Sequence, residues 1–189
     1  GWLFQLRNFG TPLLVFGSGL TYAYIYHSRE IHAFNFVKKR TFENVRLLWV
    51  RSFSKIYNPI LAIDILKILK NENINAELCM VGPDSDGSLL EVKKYAKALN
   101  VEVTFTGKLS KQEWSKLSEN YNIFINTTNV DNMPVSVIEA MALGLPVVST
   151  NVGGVPFLIE NNKNGILVEP KKADGFVRAI KQIMLNSNQ

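Results

Sequence analysis

From Val45 onward, short apolar runs alternate with helical patterns, and a turn signal separates each pair. VRLLWVRS (residues 45–52) predicts a strand, and Pro59 then opens ILAIDILKILK, whose apolar residues recur at helical spacing. Proline suits a first helical turn, because its missing N–H would have no intrahelical partner there. Residues 77–81 predict a second strand, ended by GPDSDGS, and residues 89–99 an amphipathic helix. A third strand is expected over residues 101–105. Ser110 and Glu113 form the S-x-x-E pattern, in which each side chain satisfies the other's free backbone N–H, so a helix starts there. Residues 123–126 predict a strand, 134–143 a helix, 146–149 and 166–168 two more strands, and 173–185 a closing helix.

These strands are apolar throughout rather than alternating, as in a parallel sheet covered by helices on both faces. Right-handed crossovers then make the fold class α/β, a doubly wound, Rossmann-like parallel sheet. Ligands in such folds sit beyond the carboxyl ends of the strands. The loops to search therefore follow Val50, Val81, Phe105, Asn126 and Ser149.

Composition narrows the function. The chain has 189 residues, enough for one well-filled core and short for two. Its 47% hydrophobic and 20% charged residues suit a soluble globular protein. The net charge of +5 is concentrated early: residues 1–50 hold six Lys and Arg against two acids, and the rest fifteen against fourteen. The body thus lacks the basic face that nucleic-acid binding requires. Lys38, Lys39 and Arg40 read as a solvated turn before a strand. Cys79 is the only cysteine, so no internal disulfide forms, and its apolar setting reads as core. Residues 8–26 carry no charge, but Gly10, Pro12, Gly17, Ser18, Gly19 and two Thr dilute them too far for a membrane span. Residues 1–30 are expected to pack poorly against the body, as the remnant of a longer protein. His27 and His32 belong to no constellation, and Trp49 and Trp114 read as packing residues.

The loop TTNVDNMP leads into VSVIEAMALG, and a helix N-terminus with free N–H groups suits a phosphate. Asp131 or Asn132 is positioned to cap that helix. Glu139 sits among Val137, Ile138, Ala140 and Met141, where a carboxylate left unpaired would cost several kcal/mol. Eight residues at about 1.5 Å each separate the two acids by roughly 12 Å along the helix. That is too wide to share a proton or a metal ion. It fits two carboxylates gripping different parts of one elongated ligand with phosphates between them, the shape of a nucleotide-sugar. Gly153 and Gly154 suit a tight turn, a close approach, or both.

The stretch from Asp131 to Pro170 resembles the donor-binding signature of the GT-B, family-4-type (group 1) retaining glycosyltransferases. That signature is an acid, seven residues, a Glu, then A-M-A-x-G-x-P-V-[VI]-x-[ST]; the chain has EAMALGLPVVST, GGVP and NGILVEP in register. The resemblance implies the C-terminal, nucleotide-sugar-binding half of a GT-B enzyme over residues 45–189. Residues 1–44 would be an N-terminal remnant and an interdomain linker, HSREIHAFNF. It implies that Glu139 bonds the ribose hydroxyls, that Asp131 contacts the transferred sugar, and that Arg51 neutralises the diphosphate. Backbone around Asn132, Met133, Pro134 and Val135 would approach sugar and diphosphate, while Gly82, Gly107, Lys108 and Leu109 line the nucleotide pocket. The family's usual Lys falls at Ile56 or Tyr57 here, and Lys55, one place early, is the candidate replacement. Asn132-Met133-Pro134 stands for a more usual Gly-Phe-Gly, and Phe157 where an acid often follows.

The implied reaction moves a sugar from a nucleoside diphosphate to a saccharide or lipid-linked acceptor hydroxyl with retention, with neither essential metal nor cofactor. The acceptor would be held by an N-terminal domain absent from these 189 residues, leaving the isolated chain inactive in transfer. A cytoplasmic place is implied, at the inner membrane face by peripheral association where acceptors are lipid-linked. A non-catalytic nucleotide-binding module and a GT-B nucleotide-sugar epimerase are the alternatives.

Overall fold

The computed structural model describes residues 36–37 and 40–187. Expectations for residues 1–30, for His27 and His32, and for Lys38 and Lys39 lie outside the described residues. Six parallel strands form one sheet: β1 (Val45–Val50), β2 (Ala76–Val81), β3 (Thr104–Gly107), β4 (Ile123–Asn126), β5 (Val147–Thr150) and β6 (Ile166–Val168). Their order is β3-β2-β1-β4-β5-β6. The helices are α1 (Pro59–Asn71), α2 (Ser88–Ala98), α3 (Lys111–Leu117), α4 (Val135–Ala142), α5 (Val155–Leu158) and α6 (Ala173–Ser187). The doubly wound α/β architecture predicted from the apolar runs is the one found. The four-residue α5 had no periodic pattern to announce it.

Alternate residues of each strand feed opposite faces. Leu47, Trp49, Leu78, Met80, Ile123 and Ile125 pack with α1, α2 and α6; Leu48, Cys79, Val81, Phe124 and Val147 pack with α3 and α4. Both faces are covered, which is why the strands read as continuous apolar runs. Trp49, Trp114 and Cys79 are buried, as their settings suggested. Burial pushes the Cys79 thiol up, so it stays protonated and inert.

Three helices stop by the same device. Asn73, Asn100 and Gly144 take left-handed backbone, and the apolar residue that follows donates back to the end of the helix. Those bonds are Ile74 N to Leu69 O, Val101 N to Ala96 O and Leu145 N to Ala140 O, each 3.0 Å. This is the Schellman arrangement, in which the apolar residue also seals the helix end. It corrects the third strand: Val101 is buried because it closes α2, and pairing with β2 begins only at Thr104.

Arg40 also departs from expectation. It is not a solvated turn residue; its guanidinium donates to four carbonyls, those of Ser118 (2.8 Å), Tyr121, Leu143 (3.0 Å) and Gly144 (3.3 Å). The last two lie at the end of α4, where unpaired carbonyls and the helix dipole favour a cation. Val37 N reaches Leu143 O as well, and the Phe36 ring lies over Gly144. Burial lowers the Arg40 pKa to about 10, which leaves it charged at neutral pH.

Arg40→Ala strands several of these carbonyls, at about 1–3 kcal/mol for each one left buried and unpaired. The urea midpoint is therefore expected to fall clearly in that variant, with Arg40→Lys recovering only part because an ammonium cannot fork to four oxygens. An unshifted midpoint for Arg40→Ala would show that water satisfies them.

Candidate functional site

The strand order reverses between β1 and β4, so the crevice at the carboxyl edge opens between the loops that follow these two strands. Arg51 leaves β1 there. Its N–H donates to Val81 O (3.0 Å), and Gly82 N donates to Gly107 O (2.9 Å), so the first turns after β1, β2 and β3 lie against one another. A Cβ at Gly82, whose φ is +150°, would stand 1.7 Å from the Arg51 carbonyl oxygen. Only glycine allows that approach.

The loop after β1 is stitched on two sides. Asp86 accepts from the Ser88 and Ser54 hydroxyls and from Lys55 N (3.0 Å), bonds led by Ser88 that hold its carboxyl down at about 2. Thr127, just past β4, accepts from Trp49 Nε1 (2.9 Å) and donates to Tyr57 O (2.9 Å). Asn129 N donates to Ile56 O at 2.8 Å.

Asp131 is fixed by its neighbours. Its carbonyl accepts from Gly154 N (2.8 Å). A Cβ at Gly153 would lie 2.0 Å from that oxygen, and one at Gly154 1.7 Å from Asn132 O. The glycine pair thus makes room for main chain as well as forming a turn. The carboxylate of Asp131 accepts from Met133 N (3.0 Å) through one oxygen and forms an ion pair with Arg51 through the other. It therefore closes a turn and does not cap α4. Neither Asp131 nor Asn132 is the cap: that position is Pro134, with no side-chain bond to the helix. The 12 Å separation, which assumed a continuous helix, does not apply, since α4 begins only at Val135.

Arg51 is enclosed on a second side. Its guanidinium carbon stands 4.5 Å over the centre of the Tyr57 ring. Burial lowers its pKa from the usual value, but a guanidinium stays charged at neutral pH. Its Nε has no hydrogen-bond acceptor among the described residues. Glu139 is 7% exposed, and the Lys111 ammonium, at the head of α3, lies 3.4 Å from its Oε1. The two acids are thus each matched to a separate cation.

Of the residues singled out from sequence, Arg51, Gly82, Gly107, Asp131, Asn132 and Met133 are linked by these contacts. Pro134 is buried, Val135 opens α4, and Leu109 packs against the core on the α3–α4 face. Lys55 and Lys108 are exposed. Lys55 contributes its backbone to the loop, accepting from Asn129 Nδ2 at 3.3 Å. Tyr57 and Lys111 went unrecognised. The signal for Tyr57 was an aromatic six residues past the strand-end arginine; for Lys111 only the packing of α3 beside α4 reveals it. Among the described residues no cluster of His, Cys, Asp or Glu could hold a metal ion, and no helix is long and apolar enough to cross a membrane.

The family model for glycosyl transferases group 1 matches residues 31–189. The amylovoran biosynthesis glycosyltransferase of Erwinia amylovora is 28% identical over 151 residues, 77% of this chain and 36% of its own length. An uncharacterized glycosyltransferase of Methanocaldococcus jannaschii is 28% identical over 113 residues, 60% of this chain and 29% of its own. The matched stretches thus cover about a third of the length of these relatives. In fold it is similar to the Anabaena protein HepE crystallised with UDP and glucose, at a TM-score of 0.71 and 21% identity over 77% of this chain and 40% of that one. It is also similar to sucrose-phosphate synthase of Thermosynechococcus elongatus, at 0.74 and 22% over 84% and 42%. The match over residues 31–189, on a six-stranded parallel sheet, makes this chain a member of the group 1 glycosyl transferases.

Proposed function

We propose that this domain binds a nucleoside-diphosphate sugar in the crevice between β1 and β4 and supports transfer of the sugar to an acceptor hydroxyl with retention. The observation that carries the reading is the Arg51 guanidinium, held at the switch point with an Nε that has no acceptor among the described residues. A buried donor of this kind has a use for an anionic oxygen. As the bond from anomeric carbon to phosphate breaks, negative charge grows on the departing diphosphate. Arg51 and the first-turn N–H groups of α4 stabilise it, with no metal or cofactor required. Asp131 turns from Arg51 toward the sugar hydroxyls, and Glu139 takes the ribose. Backbone from Asn132 to Val135 faces the diphosphate, and Gly82 and the Gly107–Lys108–Leu109 turn line the base side.

The acceptor, saccharide or lipid-linked, is held by another part of the longer protein, and that part also excludes water. Relatives about twice this length are consistent with such a division of labour. A cytoplasmic setting, at the membrane face for a lipid-linked acceptor, follows from the donor. A non-catalytic nucleotide-binding role for the domain alone uses the same site, and the two diverge only at transfer.

Two outcomes test the reading. Titration calorimetry with UDP and GDP is expected to give saturable binding of one of them without added metal. Incubation of the chain with nucleotide-sugars and acceptors is expected to give slow donor hydrolysis at most, because positioning of the acceptor is missing. Absence of any nucleotide binding would refute the donor site; robust glycoside formation would refute the division of labour.

Glu139→Gln keeps shape and loses charge-assisted bonds worth about 1.5–3 kcal/mol each. Nucleotide affinity should fall roughly ten-fold or more, in protein whose melting curve confirms folding. Unchanged affinity means that Glu139 is structural.

A further inference from the structure

We propose that Tyr57 is a positioning residue for Arg51: its ring face holds the guanidinium flat at the switch point, ready for the ligand's diphosphate. The inference rests on the donor-site reading above and adds a residue to it. The Arg51 guanidinium is held by the carboxylate of Asp131 and lies 4.5 Å from the centre of the Tyr57 ring. If Asp131 turns to the sugar, as that reading requires, the ring remains as a partner. Without it, a long flexible side chain would regain its rotamers at the moment its charge is needed.

The ring is placed with care. The turn Lys55–Tyr57 is closed by Tyr57 N on Ser54 O (3.0 Å) and by Asn58 in left-handed backbone (φ +48°). The Tyr57 carbonyl is clamped by Thr127, whose hydroxyl is itself fixed by the buried Trp49 indole. Ile56 O and Lys55 O are held from the β4 loop by Asn129. These bonds fix the backbone of Tyr57 from both central loops, so its ring moves with the crevice rather than with solvent. A guanidinium stacks on an aromatic face and keeps its edge donors free for an in-plane phosphate, which an ammonium does not do. A cation held by a ring differs from a second cation in one respect that matters here. It adds no charge to repel Arg51, and burial already disfavours that charge.

Plain packing is the competing role, because Tyr57 also touches the core beside α1. Packing depends on the shape of the ring, whereas attraction to a cation depends on its electron density. The test therefore replaces Tyr57 by Phe, then by mono-, di- and trifluorinated Phe at the same position in the full chain. Calorimetry measures UDP or GDP, whichever the unsubstituted chain binds, against the corresponding nucleoside, which lacks phosphates. Tyr57→Phe is expected to hold both affinities within about two-fold, since the face is kept. The fluorinated series should lose diphosphate affinity stepwise, reaching about three- to ten-fold, with nucleoside affinity unchanged. Tyr57→Leu should match the end of that series. These near-isosteric rings keep the fold, so the result does not depend on whether Tyr57→Leu folds. Diphosphate affinity flat across the series, or equal losses for nucleoside and diphosphate, would overturn the proposal alone. No binding of either nucleotide by the unsubstituted chain would overturn the donor-site reading and this proposal with it.

Discussion

Arg51 and Asp131 leave the two strands between which the sheet changes direction, and their opposite charges meet where little water reaches them. A guanidinium and a carboxylate taken out of water each lose hydration worth several kcal/mol, so neither tolerates the loss of the other without a substitute. The surrounding geometry serves that meeting. Gly82 lets the backbone of Arg51 settle against β2, and Gly153 with Gly154 lets the Asp131–Asn132 backbone settle against the turn after β5. Thr127 ties the two loops across the gap. A side chain at any of the three glycines would push on main chain, which has nowhere to go.

Charge matching recurs at the second acid. Glu139 meets Lys111 and Asp131 meets Arg51, so each buried acid is balanced by a cation rather than left in a field of one sign. Under the function proposed above, an anionic ligand would exchange partners with such pairs instead of filling an empty positive pocket, and ligands offering both an anion and hydroxyls would be favoured over a bare phosphate.

The sheet was legible because a strand covered on both faces must be apolar on both, and five of the six strands lie within a few residues of their apolar runs. The exception, β3, is instructive. Val101 and Val103 are apolar for different reasons, the first sealing α2 behind Asn100 and the second packing against the same face of the core. An Asn or Gly followed by one apolar residue after a helix is the pattern that distinguishes the two, and it stands at Asn73-Ile74, Asn100-Val101 and Gly144-Leu145 alike. Glu139 stood out because a carboxylate among apolar residues needs an explanation, while Arg51 and Asp131 were singled out through the resemblance. Their partners did not stand out. Lys111 is an ordinary residue made relevant by a partner distant in sequence, which spacing does not record, whereas Tyr57 stands only six residues past Arg51 and needed the turn between them to bring its ring under the guanidinium. Arg40 misled for the opposite reason: three cations in a row look solvated until two helix ends are brought to one of them.

That clasp has a consequence for how the molecule assembles. The four oxygens Arg40 holds lie 78 to 104 residues away along the chain. Contacts over such spans close large loops, and their entropic cost falls only after intervening structure has brought the ends together. The contacts of Arg40 therefore form late, once α3, β4 and α4 are in place. A single arginine near the beginning of the described chain thus certifies the completion of its middle, and its protection from exchange or proteolysis reports the finished state rather than the early collapse.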